Sequence, residues 1–120
     1  MQKRILVVDD DKINLLRTKK ILERYYDVFL AESGVEALDK IKSEEFDLIL
    51  LDIAMPGMDG IETFEHINEF PIKIPVIFLT ASGSEDDVLR AINLGAANYL
   101  KKPFYPQELL KRVAKEFEVK

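Results

Sequence analysis

The chain has 120 residues, 48% of them hydrophobic, no cysteine and a formal net charge of −5. That length carries one core of ordinary size, so residues 1–120 are expected to form a single domain without disulfide staples or a thiolate metal site. The acidic balance excludes a phosphate-tracking surface, and no apolar run approaches a membrane span, so a cytoplasmic protein with no direct nucleic-acid or membrane contact is expected.

Arg4-Ile5-Leu6-Val7-Val8 is a short apolar strand that ends on Asp9-Asp10-Asp11. A helical pattern follows, with Asp11 as its N-cap and Leu15, Thr18, Ile21, Leu22 and Tyr25 on one side. Val28-Phe29-Leu30 predicts a second strand, and Ser33-Gly34-Val35-Glu36 matches a capping box for a helix carrying Ala37, Leu38 and Ile41. Leu48-Ile49-Leu50-Leu51 is apolar at successive positions, the pattern of a parallel strand covered on both faces, and it delivers Asp52 to its tip. Pro56 and Gly57 stop that strand, and Gly60 gives conformational freedom at the start of a third helix marked by Ile61, Phe64 and Ile67. Val76-Ile77-Phe78-Leu79 is a fourth strand, ending at Thr80-Ala81-Ser82-Gly83. Ser84 is expected to cap a helix carrying Val88, Leu89 and Ile92, which Gly95 closes in a left-handed conformation. Asn98-Tyr99-Leu100 leads to Lys101-Lys102-Pro103, and the last helix starts near Pro106 and buries Leu109, Leu110, Val113 and Phe117.

This alternation predicts an α/β fold, a doubly wound parallel sheet whose right-handed crossovers put helices on both faces. Parallel strands share a direction, so Asp9, Asp10, Asp52, Thr80 and Lys102 all fall at one edge, where open α/β sheets bind ligands. If the first and third strands are neighbours, the three acids crowd together. Each pair of charges about 5 Å apart then repels by about 3 kcal/mol at an effective dielectric near 20. Lys102 can offset one charge, and for the rest an all-oxygen donor set favours Mg²⁺ or Mn²⁺ over zinc, few protein ligands with several waters being the usual Mg²⁺ arrangement. A carboxylate beside such an ion can act as a nucleophile toward phosphorus, with the Thr80 hydroxyl holding one transferring oxygen. Plainer readings cover the remaining residues. Lys101 is a surface lysine, Tyr99 part of a core edge, His66 an exposed helix residue, and Met55 and Met58 packing residues.

Four motifs in order carry a resemblance: Val7-Val8-Asp9-Asp10, then Leu51-Asp52-Ile53-Ala54-Met55-Pro56-Gly57-Met58-Asp59-Gly60, then Leu79-Thr80-Ala81, then Tyr99-Leu100-Lys101-Lys102-Pro103-Phe104. The chain resembles, from end to end, the receiver domain of bacterial two-component response regulators, the CheY-like family. The resemblance implies a flavodoxin-like, five-stranded sheet in the order 2-1-3-4-5, an order taken from the family and not from residue spacing. It implies that Asp52 accepts a phosphoryl group from a histidine kinase or a histidine phosphotransfer protein. It implies that Asp9, Asp10, Asp52 and the Ala54 backbone carbonyl hold Mg²⁺, Asp10 more directly than Asp9. Lys102 then pairs with the acceptor or the phosphoryl group, and Thr80 and Tyr99 form a switch. Output is implied through the surface of the fourth helix, fifth strand and fifth helix, toward a downstream protein, an output domain or a phosphorylation-dependent dimer. Such a domain is a signalling switch and not an enzyme that turns over an external substrate. Ala54 and Ser82 are small at two positions that vary in the family, so the phosphoryl lifetime is left open. The chain stops after the fifth helix, as a stand-alone regulator or as one cut from a longer protein.

Three other readings compete. A phosphohydrolase of the haloacid-dehalogenase type also puts an Asp nucleophile and Mg²⁺ at a strand end, but it needs a second Asp two residues on, where this chain has Ala54. A flavodoxin-like cofactor binder needs Ser, Thr and Gly donors after the first strand, where Asp9-Asp10-Asp11 repels a phosphate. A degenerate receiver acting as a docking module usually lacks one of the four polar positions, and all four are present.

Overall fold

The computed structural model describes residues 2–81 and 85–118. Its elements run β1 (Arg4–Val8), α1 (Lys12–Leu22), β2 (Asp27–Ala31), α2 (Gly34–Ser43), β3 (Leu48–Asp52), α3 (Gly60–Ile67), β4 (Val76–Thr80), α4 (Glu85–Asn93), β5 (Asn98–Lys101) and α5 (Pro106–Glu116). The five strands form one parallel sheet in the order β2-β1-β3-β4-β5, as the resemblance implies. The expected positions of Ser82 beside the site and of Ser84 as a helix cap fall outside the described residues.

The strand period of two divides the apolar runs between two faces. Ile5, Val7, Leu48, Leu50, Ile77 and Leu79 face one side, where Leu15 and Leu22 of α1 and Leu109 and Val113 of α5 cover them. Leu6, Val8, Ile49, Leu51 and Phe78 face the other, under Ala37 of α2, Ile61, Phe64 and Ile67 of α3 and Ala91 of α4. Every residue of β3 and β4 is buried, which is why those strands read as unbroken apolar runs. Phe64 meets Phe78 edge to face at 5.4 Å, pinning α3 to the sheet.

Local chemistry starts the helices where the sequence places them. Asp11 Oδ1 accepts from the N–H groups of Ile13 (2.8 Å) and Asn14 (3.3 Å), and Asp59 Oδ1 accepts from Glu62 N–H at 2.9 Å. Each such cap stabilises its helix by about 1 kcal/mol. Ser33 Oγ caps α2 through Glu36 N–H at 3.1 Å, but the Glu36 carboxylate reaches back to Glu32 N–H (3.3 Å) instead of Ser33 N–H, so the box is displaced by one residue. Gly95 has φ 100° and ends α4 as expected.

Four expectations are corrected. The chain leaves α1 after Leu22, so Tyr25 is exposed and Tyr26 turns inward onto Phe117, with ring centroids 5.4 Å apart. On α4 it is Ala91 that is buried, while Leu89 and Ile92 are exposed, because a small side chain lets the helix lie close to the sheet. On α5, Leu109 and Val113 are buried, whereas Leu110 and Phe117 pack only at the core's margin. Gly60 is needed for space and not for a special φ. A Cβ there would overlap the Asp52 carbonyl oxygen and come within 2.7 Å of Ile53 Cα.

Candidate functional site

β1 and β3 are adjacent and in register, Val8 opposite Leu51, so the residues after them, Asp9 and Asp52, emerge side by side at the carboxyl edge. Asp9 continues the strand for one more bond, its N–H donating to the Ala31 carbonyl at 3.1 Å. β4 lies on the other side of β3, with Asp52 opposite Leu79, which puts Thr80 one residue beyond. Lys102 follows β5, and its N–H donates to the Thr80 carbonyl at 2.7 Å. Four separate segments of sequence thus deliver their polar residues to one edge.

Asp9 and Asp52 are 4% and 6% exposed, while Asp10 is open to solvent. Asp9 divides its carboxylate between two partners: Oδ1 accepts from Asp11 N–H at 3.0 Å, and Oδ2 accepts from Lys102 Nζ at 2.7 Å. Lys102 Nζ lies 3.7 Å from Asp52 Oδ2, so in this state the lysine is bound more closely to Asp9 than to Asp52. The resemblance implies that Lys102 pairs with the acceptor or the phosphoryl group, and no pattern in the chain marks which of two buried acids it lies closer to.

Burial raises the Asp52 pKa from 3.8 to about 6. The Lys102 ammonium opposes the rise, the Asp9 carboxylate adds to it, and a hydrogen bond from the Ala54 backbone lowers it again. At neutral pH the group is a carboxylate that gains from any further positive charge. One oxygen each from Asp9, Asp10 and Asp52 lies within 4.8 Å of the others. This compact all-carboxylate set, with one member exposed to water, fits a hard divalent cation such as Mg²⁺ and lacks the nitrogen or sulfur ligands of a zinc site.

Thr80 is buried and Tyr99 is 40% exposed, which corrects the reading of Tyr99 as a core-edge residue. β5 is the last strand of the sheet, and Tyr99 stands opposite Phe78 on the α4 side, where nothing covers it fully. Thr80 and Tyr99 line one groove of about 410 Å³ with Val88, Leu89 and Ile92. Ala54 is exposed just beyond Asp52. Lys101 is exposed as expected, His66 is exposed and meets Glu69 Oε1 at 3.0 Å, and Met55 is buried.

The family described as the response regulator receiver domain matches residues 5–114. Transcriptional regulatory protein CrdR of Helicobacter pylori is 43% identical over 119 residues, covering 98% of this chain and 56% of the relative. Alkaline phosphatase synthesis transcriptional regulatory protein PhoP of Bacillus subtilis is 42% identical over 114 residues, covering 94% of this chain and 48% of the relative. The chain therefore spans about half the length of the curated relatives it matches. A CheY-like response regulator receiver domain protein from Methanospirillum hungatei, known from its crystal structure, superposes with a TM-score of 0.92 at 38% identity, covering 97% of this chain and 94% of that one.

Proposed function

The chain belongs to the response regulator receiver domain family, and from that membership we propose that residues 1–120 act as one phospho-accepting signalling domain with Asp52 as the acceptor. The observation that carries this reading is a buried Asp52 carboxylate at the tip of the central strand, flanked by Asp9, Asp10 and Lys102. The donor is a histidine kinase or a histidine phosphotransfer protein. An Asp52 oxygen forms the bond to phosphorus as the phosphorus–nitrogen bond to the donor imidazole breaks, and the departing imidazole nitrogen takes up a proton.

The chain's own residues divide the remaining work. Lys102, 2.7 Å from Asp9 and 3.7 Å from Asp52, has only a short distance to move to reach a phosphoryl oxygen. Asp9, Asp10, Asp52 and the Ala54 carbonyl are the groups that would hold Mg²⁺. When bound, that ion supplies positive charge to the phosphoryl oxygens during transfer. The Thr80 hydroxyl donates to one of those oxygens, Tyr99 follows, and the α4–β5–α5 face changes shape for a downstream protein, an output domain or a second copy. As a member of this family the domain works in the cytoplasm.

The acceptor is the chain's own carboxylate, so the activity is a reversible self-modification and not turnover of an external substrate. The phosphohydrolase reading fares worse because the position of its second acid carries the methyl group of Ala54. Intact-mass measurement after incubation with acetyl phosphate and Mg²⁺ tests the proposal. One phosphoryl adduct is expected on the native chain and none on Asp52→Asn. A native chain that takes no adduct is a docking module, and an adduct that persists in Asp52→Asn moves the acceptor elsewhere.

A further inference from the structure

α2 begins on Gly34, whose backbone lies against the start of α3 more closely than a side chain permits. A Cβ on Gly34 would overlap the Thr63 hydroxyl oxygen and press on Met58 Sδ and Cγ at 3.1 and 3.3 Å. Both neighbours belong to the segment that follows Asp52. Thr63 is fully buried, and its hydroxyl donates to the Asp59 carbonyl at 2.8 Å. Asp59 closes the loop 53–59 and caps α3, while Gly60 N–H fastens the other end of that loop to the Ile53 carbonyl at 2.8 Å. The turn from β2 into α2 therefore touches both halves of the acidic site. Its Ala31 carbonyl holds the Asp9 backbone, and three residues later Gly34 abuts the groups that seat the loop carrying Ala54.

We propose that Gly34 is a positioning residue for this site: its missing side chain lets Thr63 and Met58 seat the loop 53–59 over Asp52, which sets Mg²⁺ affinity and the rate of phosphoryl acceptance. The inference rests on the reading of Asp52 as acceptor and extends it to a residue on another element. Mg²⁺ demands near-ideal octahedral geometry from its ligands, so a shift of the Ala54 backbone by a few tenths of an ångström weakens binding even when the fold survives. In-line attack by Asp52 is equally sensitive to small misplacement.

The test compares the native chain with Gly34→Ala, Thr63→Ala, the double variant Gly34→Ala/Thr63→Ala, and Val35→Ala, an exposed neighbour on the same helix. Mg²⁺ midpoints come from amide shifts on titration, and acceptance rates from intact mass with acetyl phosphate, all well below the melting temperature. Gly34→Ala is expected to raise the midpoint and slow acceptance by about three- to tenfold each, and removing the Thr63 side chain in the double variant to restore both to the level of Thr63→Ala alone. Val35→Ala should match the native chain. A purely structural role would lower the melting temperature of Gly34→Ala and leave its midpoint and rate within about twofold of native, and that result overturns the proposal. If Gly34→Ala fails to fold, Thr63→Val takes its place. It removes the hydroxyl bond to the Asp59 carbonyl, which still accepts from the backbone N–H of residue 63 at 3.0 Å. An unchanged Mg²⁺ midpoint in Thr63→Val also overturns the proposal, and a several-fold rise supports it. A native chain that binds Mg²⁺ but accepts no phosphoryl group refutes Asp52 as acceptor, while the Mg²⁺ midpoints still decide the role of Gly34. A native chain with no Mg²⁺-dependent shifts refutes both.

Discussion

Asp52 holds its negative charge against the preference of its surroundings. Burial is the main cause of the rise in its pKa from 3.8 to about 6, with Asp9 adding to it and Lys102 and the Ala54 N–H working against it. The folded state therefore binds this proton more tightly than the unfolded chain does. Its contribution to stability is complete below about pH 4 and is lost as pH rises through about 6. A shift of that size corresponds to about 3 kcal/mol before solvent screening and to about 1–2 kcal/mol after it. Without metal, Asp52→Asn should thus be more stable than the native chain by about 1–2 kcal/mol near pH 7.5 and by much less near pH 4.5. Urea unfolding of both proteins in chelator, at both pH values, measures the difference. A gap that does not change with pH would mean that Asp52 ionises in the folded chain as it does in the unfolded one. Added Mg²⁺ should narrow or reverse the gap at the higher pH, since on the proposed ligand set the cation would bind more tightly to the chain that keeps the carboxylate.

The elements were legible wherever one signal dominated. α3 follows from Ile61, Phe64 and Ile67 at helical spacing, and all three are buried, whereas its cap, Asp59, is not singled out in the sequence. β3 and β4 follow from unbroken apolar runs, and the acids at the strand tips followed from strand direction alone. α4 was not legible, because its large apolar residues are not its buried ones. Periodicity chose Val88, Leu89 and Ile92, whereas the sheet accepts Ala91, and only the depth available between helix and sheet decides between those faces. The same limit hid the contact of Gly34 with Thr63, since nothing in the residue pattern reports how close two helix starts approach. The assignment can be checked by stability. Ala91→Leu should cost about 1–3 kcal/mol through overpacking, whereas Leu89→Ala should change stability by about 0.5 kcal/mol or less. Denaturant midpoints showing the reverse order would restore the face that periodicity selects.

At the scale of the molecule, the site lies at one edge of the sheet, and the exposed Leu89 and Ile92 of α4 line a groove that also reaches Thr80 and Tyr99. Thr80 joins the two regions: its carbonyl is bonded by Lys102 N–H at 2.7 Å, and its side chain is buried at the head of the groove lined by Leu89, Ile92 and Tyr99. On the proposal that Asp52 is the acceptor, phosphorylation would place strong acceptor oxygens on it, and the Thr80 hydroxyl on the adjacent strand would be drawn toward them. That movement would free space on the α4 side of β4. Tyr99 is 40% exposed, so an inward move of its ring would bury apolar area that is now in water, a difference in free energy that phosphorylation would bias under the same proposal. Arg112 donates to the Tyr99 carbonyl, at 2.6 Å, and to Asn98 Oδ1, at 2.9 Å, which ties β5 directly to α5. Thr80→Ala removes the hydroxyl at the start of this chain and leaves Asp52, Asp9, Asp10 and Lys102 in place. The variant should therefore take up phosphate from acetyl phosphate yet show much smaller phosphorylation-dependent amide shifts at Tyr99 and along residues 85–117. Shifts equal to the native protein in size and location would mean that the signal leaves through a different face, and Thr80 would then serve only the chemistry at Asp52.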